Sequence, residues 1–308
     1  MVSISRFWRR TVGLKSRNKF ALFMLLFGAT ACQSVQPSAA LQPLALGSKY
    51  VAIGSSFAAG PGVGSKDPNA HPNCGQSTSN YPKLLARELS LYLVDVTCGG
   101  ATTNNVLTSS QHTGLLPQIE NITRDTALVT VTIGGNDLYL ARDLSITSCI
   151  NYSHSAQAPG MLCNSRPLPP PEEAFQALDG NLDRIAKEAK RRAPNARIVF
   201  LDYQAILPEG GTCEAIYLTN DELASLRARQ LRYADIVRRV AARNNVEFFS
   251  AYQATLGHDA CAAEPFMAGA ISIGNGAWNV PNFHTNQGGM NAISQGLANY
   301  LRQRTDGK

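Results

Sequence analysis

The sequence predicts a doubly wound α/β domain, and three observations carry that prediction. Five short runs, residues 50–54, 93–97, 127–133, 197–202 and 246–250, are mostly apolar along their length rather than alternating. That is the pattern of strands buried on both faces of a parallel sheet. Helical periodicity fills the intervals between them, and strands alternating with helices imply a sheet covered on both sides. Ligands in such folds bind beyond the carboxyl ends of the strands, where the strand order reverses. The residues that follow each strand are therefore the ones to inspect for chemistry.

The elements follow in order. Run 50–54 opens the domain, and helix 82–89 leads to run 93–97. Run 127–133 precedes a long helix over 172–192, which places Phe175, Leu178, Leu182, Ile185 and Ala189 on one face. Pro171 suits the entry to that helix and Pro194 stops it. After run 197–202, helix 220–243 aligns Leu223, Leu226, Tyr233, Val237 and Val240. Run 246–250 then leads towards a closing helix, 286–302, which turns Met290, Ile293, Leu297 and Leu301 inward.

Residues 1–32 stand apart from this pattern. Arg6, Arg9, Arg10, Lys15, Arg17 and Lys19 are followed by an apolar run over 20–31, with no acidic residue throughout. A bilayer span needs about 20 apolar residues, so this run is too short. Basic, then apolar, then the small residues Ala29-Thr30-Ala31 is the order of a secretory signal. Cys32 follows at once and is a candidate for lipidation, which would tether the mature protein to a membrane as a lipoprotein. Residues 33–48, rich in Ser, Ala, Gln and Pro, read as a tether, and 49–308 as one catalytic domain.

The leader also accounts for the charge. The chain has 28 basic and 22 acidic residues, and setting aside the six basic residues of the leader leaves the two signs equal. A neutral mature chain offers no electrostatic case for a nucleic-acid or polyanion partner. Cys74, Cys98, Cys149, Cys163, Cys213 and Cys261 remain after the leader, an even set that reads as disulfides formed in an oxidising compartment. No pair has the spacing of a zinc site. Spacing alone leaves the pairing open.

Four segments carry chemistry. The first strand runs into Gly54-Ser55-Ser56-Phe57, the second into Cys98-Gly99-Gly100-Ala101, and the third into Gly134-Gly135-Asn136-Asp137. Asn282-Phe283-His284-Thr285-Asn286 stands directly before the last helix. A serine hydroxyl is a poor nucleophile until a base takes its proton, and imidazole does so near neutral pH. The intermediate then needs hydrogen-bond donors for its oxyanion.

Taken together, and in this order, the four segments resemble the blocks of the SGNH (GDSL-like) hydrolases, and the resemblance covers residues 50–301. It implies a flavodoxin-like α/β/α sandwich with Ser56 as nucleophile and His284 as base. It also implies an oxyanion hole built from the Ser56 and Gly100 amides and the Asn136 side chain. Cys74, Tyr81-Pro82 and the Cys98-Gly-Gly run are similar to a secreted bacterial esterase and phospholipase branch. That likeness implies the pairs Cys74–Cys98, Cys149–Cys163 and Cys213–Cys261.

Two positions depart from the family pattern. Ser55 stands where an Asp usually precedes the nucleophile, and Pro281 stands where an Asp usually lies three residues before the histidine. The expectation is therefore a Ser-His dyad, with the backbone carbonyl of Pro281 orienting His284. Asp137 is expected to be structural. His71, His112 and His154 are expected to be solvated, and Trp278, Phe266, Met267 and Phe283 receive no role. The expected activity is hydrolysis of short or medium acyl esters or lipids, without metal or cofactor, by an exported monomer. Removal of carbohydrate O-acetyl groups and non-catalytic glycan or lipid binding by an envelope lipoprotein are the alternatives.

Overall fold

The structure, a computed structural model, describes residues 43–155, 163, 165–270 and 281–303. The expected leader with Cys32, the expected tether up to residue 42, and Trp278 lie outside these residues. From Pro43 onward the expected tether belongs to the domain. Leu44 packs on the core, and the Gly47 amide donates to the Ser90 carbonyl at 2.7 Å.

The strands are β1 (Lys49–Gly54), β2 (Tyr92–Asp95), β3 (Thr126–Thr132), β4 (Arg197–Leu201) and β5 (Glu247–Phe249). The helices are α1 (Ser56–Ala59), α2 (Tyr81–Glu88), α3 (Thr103–Leu107), α4 (Leu140–Ser153), α5 (Glu172–Arg192), α6 (Asn220–Arg243), α7 (Ala251–Ala254) and α8 (Gln287–Gln303). All five strands are parallel, in the order β2-β1-β3-β4-β5. That is the flavodoxin-like order, with its reversal between β1 and β3.

The sheet separates two apolar layers by the period of two along each strand. Val51, Ile53, Val129, Val131, Ile198 and Phe200 join the core with α5 and α6. Their neighbours Tyr50, Ala52, Leu128, Val199 and Leu201 join the core with α2 and α8. Strand β4 ends one residue before its apolar run does, because the polar residue there serves the following element. Asp202 leaves β4 to accept from the Tyr252 amide at 3.0 Å and the Ser250 hydroxyl at 2.9 Å, and Ser250 itself caps α7.

Helix α4 is not signalled by periodicity. Its buried residues are Leu140, Asp143, Leu144, Thr147 and Ser148, so much of its inner face is polar. It carries Cys149, which is bonded to Cys163. Cys74 is bonded to Cys98, and Cys213 to Cys261, as the family resemblance implied.

Run 197–202 begins with a charge, which its partner strand answers. Arg197 on β4 forms two parallel bonds to Glu247 on β5, at 2.8 and 2.7 Å, and donates to the Leu301 carbonyl at 2.7 Å. Both side chains are buried, at 4 % and 8 % exposure. Removing one partner leaves the other charge buried and uncompensated, which costs about 3–5 kcal/mol. Glu247→Ala is expected to lose stability of that size in denaturant unfolding, while a loss below about 1 kcal/mol would show that water solvates the pair.

Candidate active site

The ends of β1, β2 and β3 and the turn before α8 converge on one open cleft of about 540 Å³. Its lining includes Ser56, Gly100, Asn136 and His284, residues that the sequence placed in four separate segments. Ser56 is the first residue of α1, at 7 % exposure. Gly54 lets it sit there through close approach rather than through unusual backbone angles. A Cβ at residue 54 would lie 2.7 Å from the Ala58 Cβ and 2.8 Å from the Thr132 carbonyl. The Gln118 amide grips Gly54 from the side, accepting from its N–H at 2.8 Å and donating to its carbonyl at 3.0 Å.

His284 Nε2 lies 2.8 Å from Ser56 Oγ, and His284 Nδ1 lies 2.8 Å from the Asn282 carbonyl. A carbonyl can only accept, so Nδ1 carries the proton of the neutral ring and Nε2 presents its lone pair to the serine. The orienting carbonyl differs from the expected one. The Pro281 carbonyl accepts from the His284 backbone amide at 3.1 Å, closing a turn, and that turn leaves the next carbonyl, Asn282, for the ring. Phe283 holds the turn in a left-handed conformation, φ 55°, with its side chain buried in the core. Two further bonds, Phe283 N–H to the Ala268 carbonyl at 3.2 Å and Ala268 N–H to the His284 carbonyl at 2.8 Å, pin the loop. Phe57 packs beside the imidazole with ring centres 5.1 Å apart. Burial holds the imidazole below its ordinary pKa, and the Asn282 carbonyl opposes that less strongly.

Three donors belong to residues that line the same cleft. The backbone amides of Ser56 and Gly100 donate to no other protein group among the described residues. Gly100 has φ 79°, a left-handed conformation that a side chain would strain. Asn136 uses one N–H of its amide to reach the Ala101 carbonyl at 2.8 Å, which fixes the side chain and leaves its second N–H without a partner among the described residues. Asp137 is not among the residues lining this cleft; it accepts from the amide and hydroxyl of Thr103, tying the start of α3 to the end of β3. Burial pushes its carboxyl pKa up, with the Thr103 bonds opposing.

Ser55 also has a partner that no local pattern signals. It is fully buried, and its hydroxyl lies 2.5 Å from that of Tyr203, two residues beyond β4. The Gly135 amide donates to the same Tyr203 oxygen at 3.3 Å. A neutral hydroxyl pair thus joins the ends of β1, β3 and β4 where the family pattern has a carboxylate. Gly135 must lack a side chain, because a Cβ there would lie 2.1 Å from the Tyr203 ring.

The remaining histidines lie elsewhere. His71 and His112 are half-buried rather than solvated and stack on each other, ring centres 4.9 Å apart. Among the described residues, these two and Cys74 are the one group with the proximity of metal ligands, but the Cys74 sulfur is committed to Cys98. His258 stacks on Phe266 and points Nδ1 at the Glu264 carbonyl, while Asp259 accepts from the Cys261 amide at 2.8 Å. Met267 and Phe283 are core residues.

Comparison with known proteins accords with this geometry. The profile of the GDSL-like lipase/acylhydrolase family matches residues 52–292. Lipase 2 of Streptomyces coelicolor is 35 % identical over 233 residues, spanning 71 % of this chain and 77 % of that protein. A lipase of Streptomyces rimosus is 30 % identical over 245 residues, 79 % of this chain and 82 % of that one. The crystal structure of the extracellular lipase from Streptomyces rimosus superposes with a TM-score of 0.64 at 25 % identity, covering 84 % of this chain and all of that one. Phospholipase A1 from Streptomyces albidoflavus shares the fold, with a TM-score of 0.64 at 24 % identity, over 82 % of this chain and 99 % of that one. With a matching family profile, relatives at this identity and a serine-histidine pair at the switch point of the sheet, the chain belongs to the GDSL-like lipase/acylhydrolase family of serine ester hydrolases.

Proposed function

We propose that this enzyme hydrolyses carboxylic esters through an acyl-enzyme formed on Ser56, with His284 as sole base and no carboxylate behind it. The observation that carries the reading is the chain of contacts from Ser56 Oγ through the imidazole to the Asn282 carbonyl. In the first step Ser56 Oγ bonds to the ester carbonyl carbon as its proton passes to His284 Nε2. The carbonyl oxygen becomes an oxyanion between the Ser56 and Gly100 amides and the free N–H of Asn136. Collapse expels the alcohol, which takes the proton back from Nε2. Water then repeats the sequence against the acyl-enzyme and releases the acid.

The Asn282 carbonyl dipole replaces the carboxylate that stabilises the imidazolium in a triad. The base works only when neutral. Because its pKa lies below the ordinary 6.5, activity should rise with pH along a limb centred below that value and stay level through neutrality. The substrates we assign are short or medium acyl esters or lipids. The three disulfides and the likeness to an extracellular lipase support export, with Cys32 as the candidate tether.

Treatment with a fluorophosphonate tests the reading, since phosphonylation of Ser56 Oγ with loss of fluoride needs the same base. Digestion and mass spectrometry should find the adduct on the peptide holding Ser56, forming faster as pH rises through the His284 titration. An adduct on another residue, or none in folded protein, would remove the assignment.

A further inference from the structure

Among the described residues that line the cleft, Arg142 is the one side chain charged at neutral pH apart from the titratable His284. It lies in the first turn of α4, six residues after Asn136 in sequence. Its carboxylate neighbour does not neutralise it. Asp143 is fully buried and takes its close partner from Arg229, at 2.8 Å to Oδ2, while Arg142 reaches Oδ1 at 3.3 Å. Two guanidinium groups thus share one carboxylate, and the net positive charge rests on the more exposed of them. Arg142 is 39 % exposed against 9 % for Arg229.

The guanidinium is also held in place. The Arg166 carbonyl accepts from it at 3.4 Å, and it lies 5.1 Å from the centre of the Tyr139 ring. Tyr139 has φ 54°, a left-handed conformation that is strained for a tyrosine, and strained residues gather at binding sites. Among the described residues, two of the five guanidinium N–H donors are engaged, both in long contacts, so a ligand finds a preset cation with donors to spare.

We infer that Arg142 is a specificity-determining residue and that the enzyme prefers esters carrying an anionic group close to the scissile carbonyl. This rests on the proposed role of Ser56, because it takes the cleft beside that serine as the substrate site. The anion has two chemical sources, a phosphate on the leaving alcohol or a carboxylate on the acyl chain, and both suit a bidentate guanidinium.

Two pairs of monomeric substrates separate them. The first compares hexanoyl-glycerol 3-phosphate with monohexanoylglycerol, and the second compares monomethyl adipate with methyl hexanoate. The wild-type enzyme should prefer the charged member of one pair or both by about tenfold in kcat/KM. Arg142→Gln should bring that ratio close to one, and Arg142→Lys should keep part of it, since lysine retains charge without the fork. Preference in the first pair alone assigns the anion to the leaving group; preference in the second alone assigns it to the acyl side. An enzyme that hydrolyses the neutral esters but prefers neither anion overturns the inference. So does an Arg142→Gln variant that loses activity on charged and neutral members equally. The underlying reading fails separately, by the absence of a fluorophosphonate adduct on Ser56.

Discussion

Ser56→Ala and His284→Ala are each expected to lower kcat by about a millionfold, the loss seen when either partner of a serine-histidine pair is removed from a serine hydrolase. The two should be equally damaging, and the double variant should be little worse, because nucleophile and base act as one unit. The informative comparison is with Asp259→Asn. In a triad, losing the carboxylate costs about 10⁴ in kcat, because the imidazole takes the wrong tautomer and its cation goes unsupported. Here the tautomer is set by the Asn282 carbonyl, a main-chain group that no substitution of an acidic side chain removes. Asp259 spends its carboxylate on the Cys261 amide. Residues 271–280, next to the site in sequence, contain neither Asp nor Glu. Asp259→Asn should therefore reduce kcat by less than about tenfold. A collapse comparable to that of His284→Ala would reveal a carboxylate behind the histidine and end the dyad.

Asn136→Ala is expected to lower kcat by about two to three decades while leaving KM within a few-fold. One preset donor to an oxyanion is worth about 10²–10³ in rate, because the charge it meets exists only beyond the ground state. The side chain is well placed to be such a donor, since its bond to the Ala101 carbonyl holds it across the cleft at no cost during the reaction. That same bond gives the variant a structural consequence, the loss of one tie between the ends of β2 and β3. Thermal unfolding must therefore accompany the kinetics, with a shift of a few degrees or less expected from one part-buried hydrogen bond. A rise in KM at constant kcat would make Asn136 a substrate-binding residue instead.

Most of the fold was legible because its signals are local. An apolar run buried on both faces and a helix with one apolar stripe are recognisable from a few neighbouring residues, and α5 and α6 have the bounds that their periodicity predicts. Helix α4 was hidden because polar Asp143, Thr147 and Ser148 occupy its inner face, where the buried Arg229 pairs with Asp143 and the Ile216 carbonyl accepts from Ser148. The rule that chemistry gathers after the strands pointed to Ser56, Gly100 and Asn136. Followed past β4 as well, it would have reached Tyr203.

The sequence by itself determined the doubly wound class, the order of the elements and the four segments that meet at the carboxyl edge of the sheet. Its resemblance to a known family supplied the pairing of the cysteines. Only the tertiary structure decided which groups support those segments. The Gln118 grip on Gly54 spans 64 residues of chain, and the contact between Ser55 and Tyr203 spans 148. Contacts between residues so far apart leave no periodicity for a single sequence to display. The orienting carbonyl was missed for a different reason, being only one residue from the expected one. Side-chain identity says nothing about where a main-chain carbonyl points. That direction is set by the turn that closes from Pro281 to His284, and by the core that holds Phe283 beneath it.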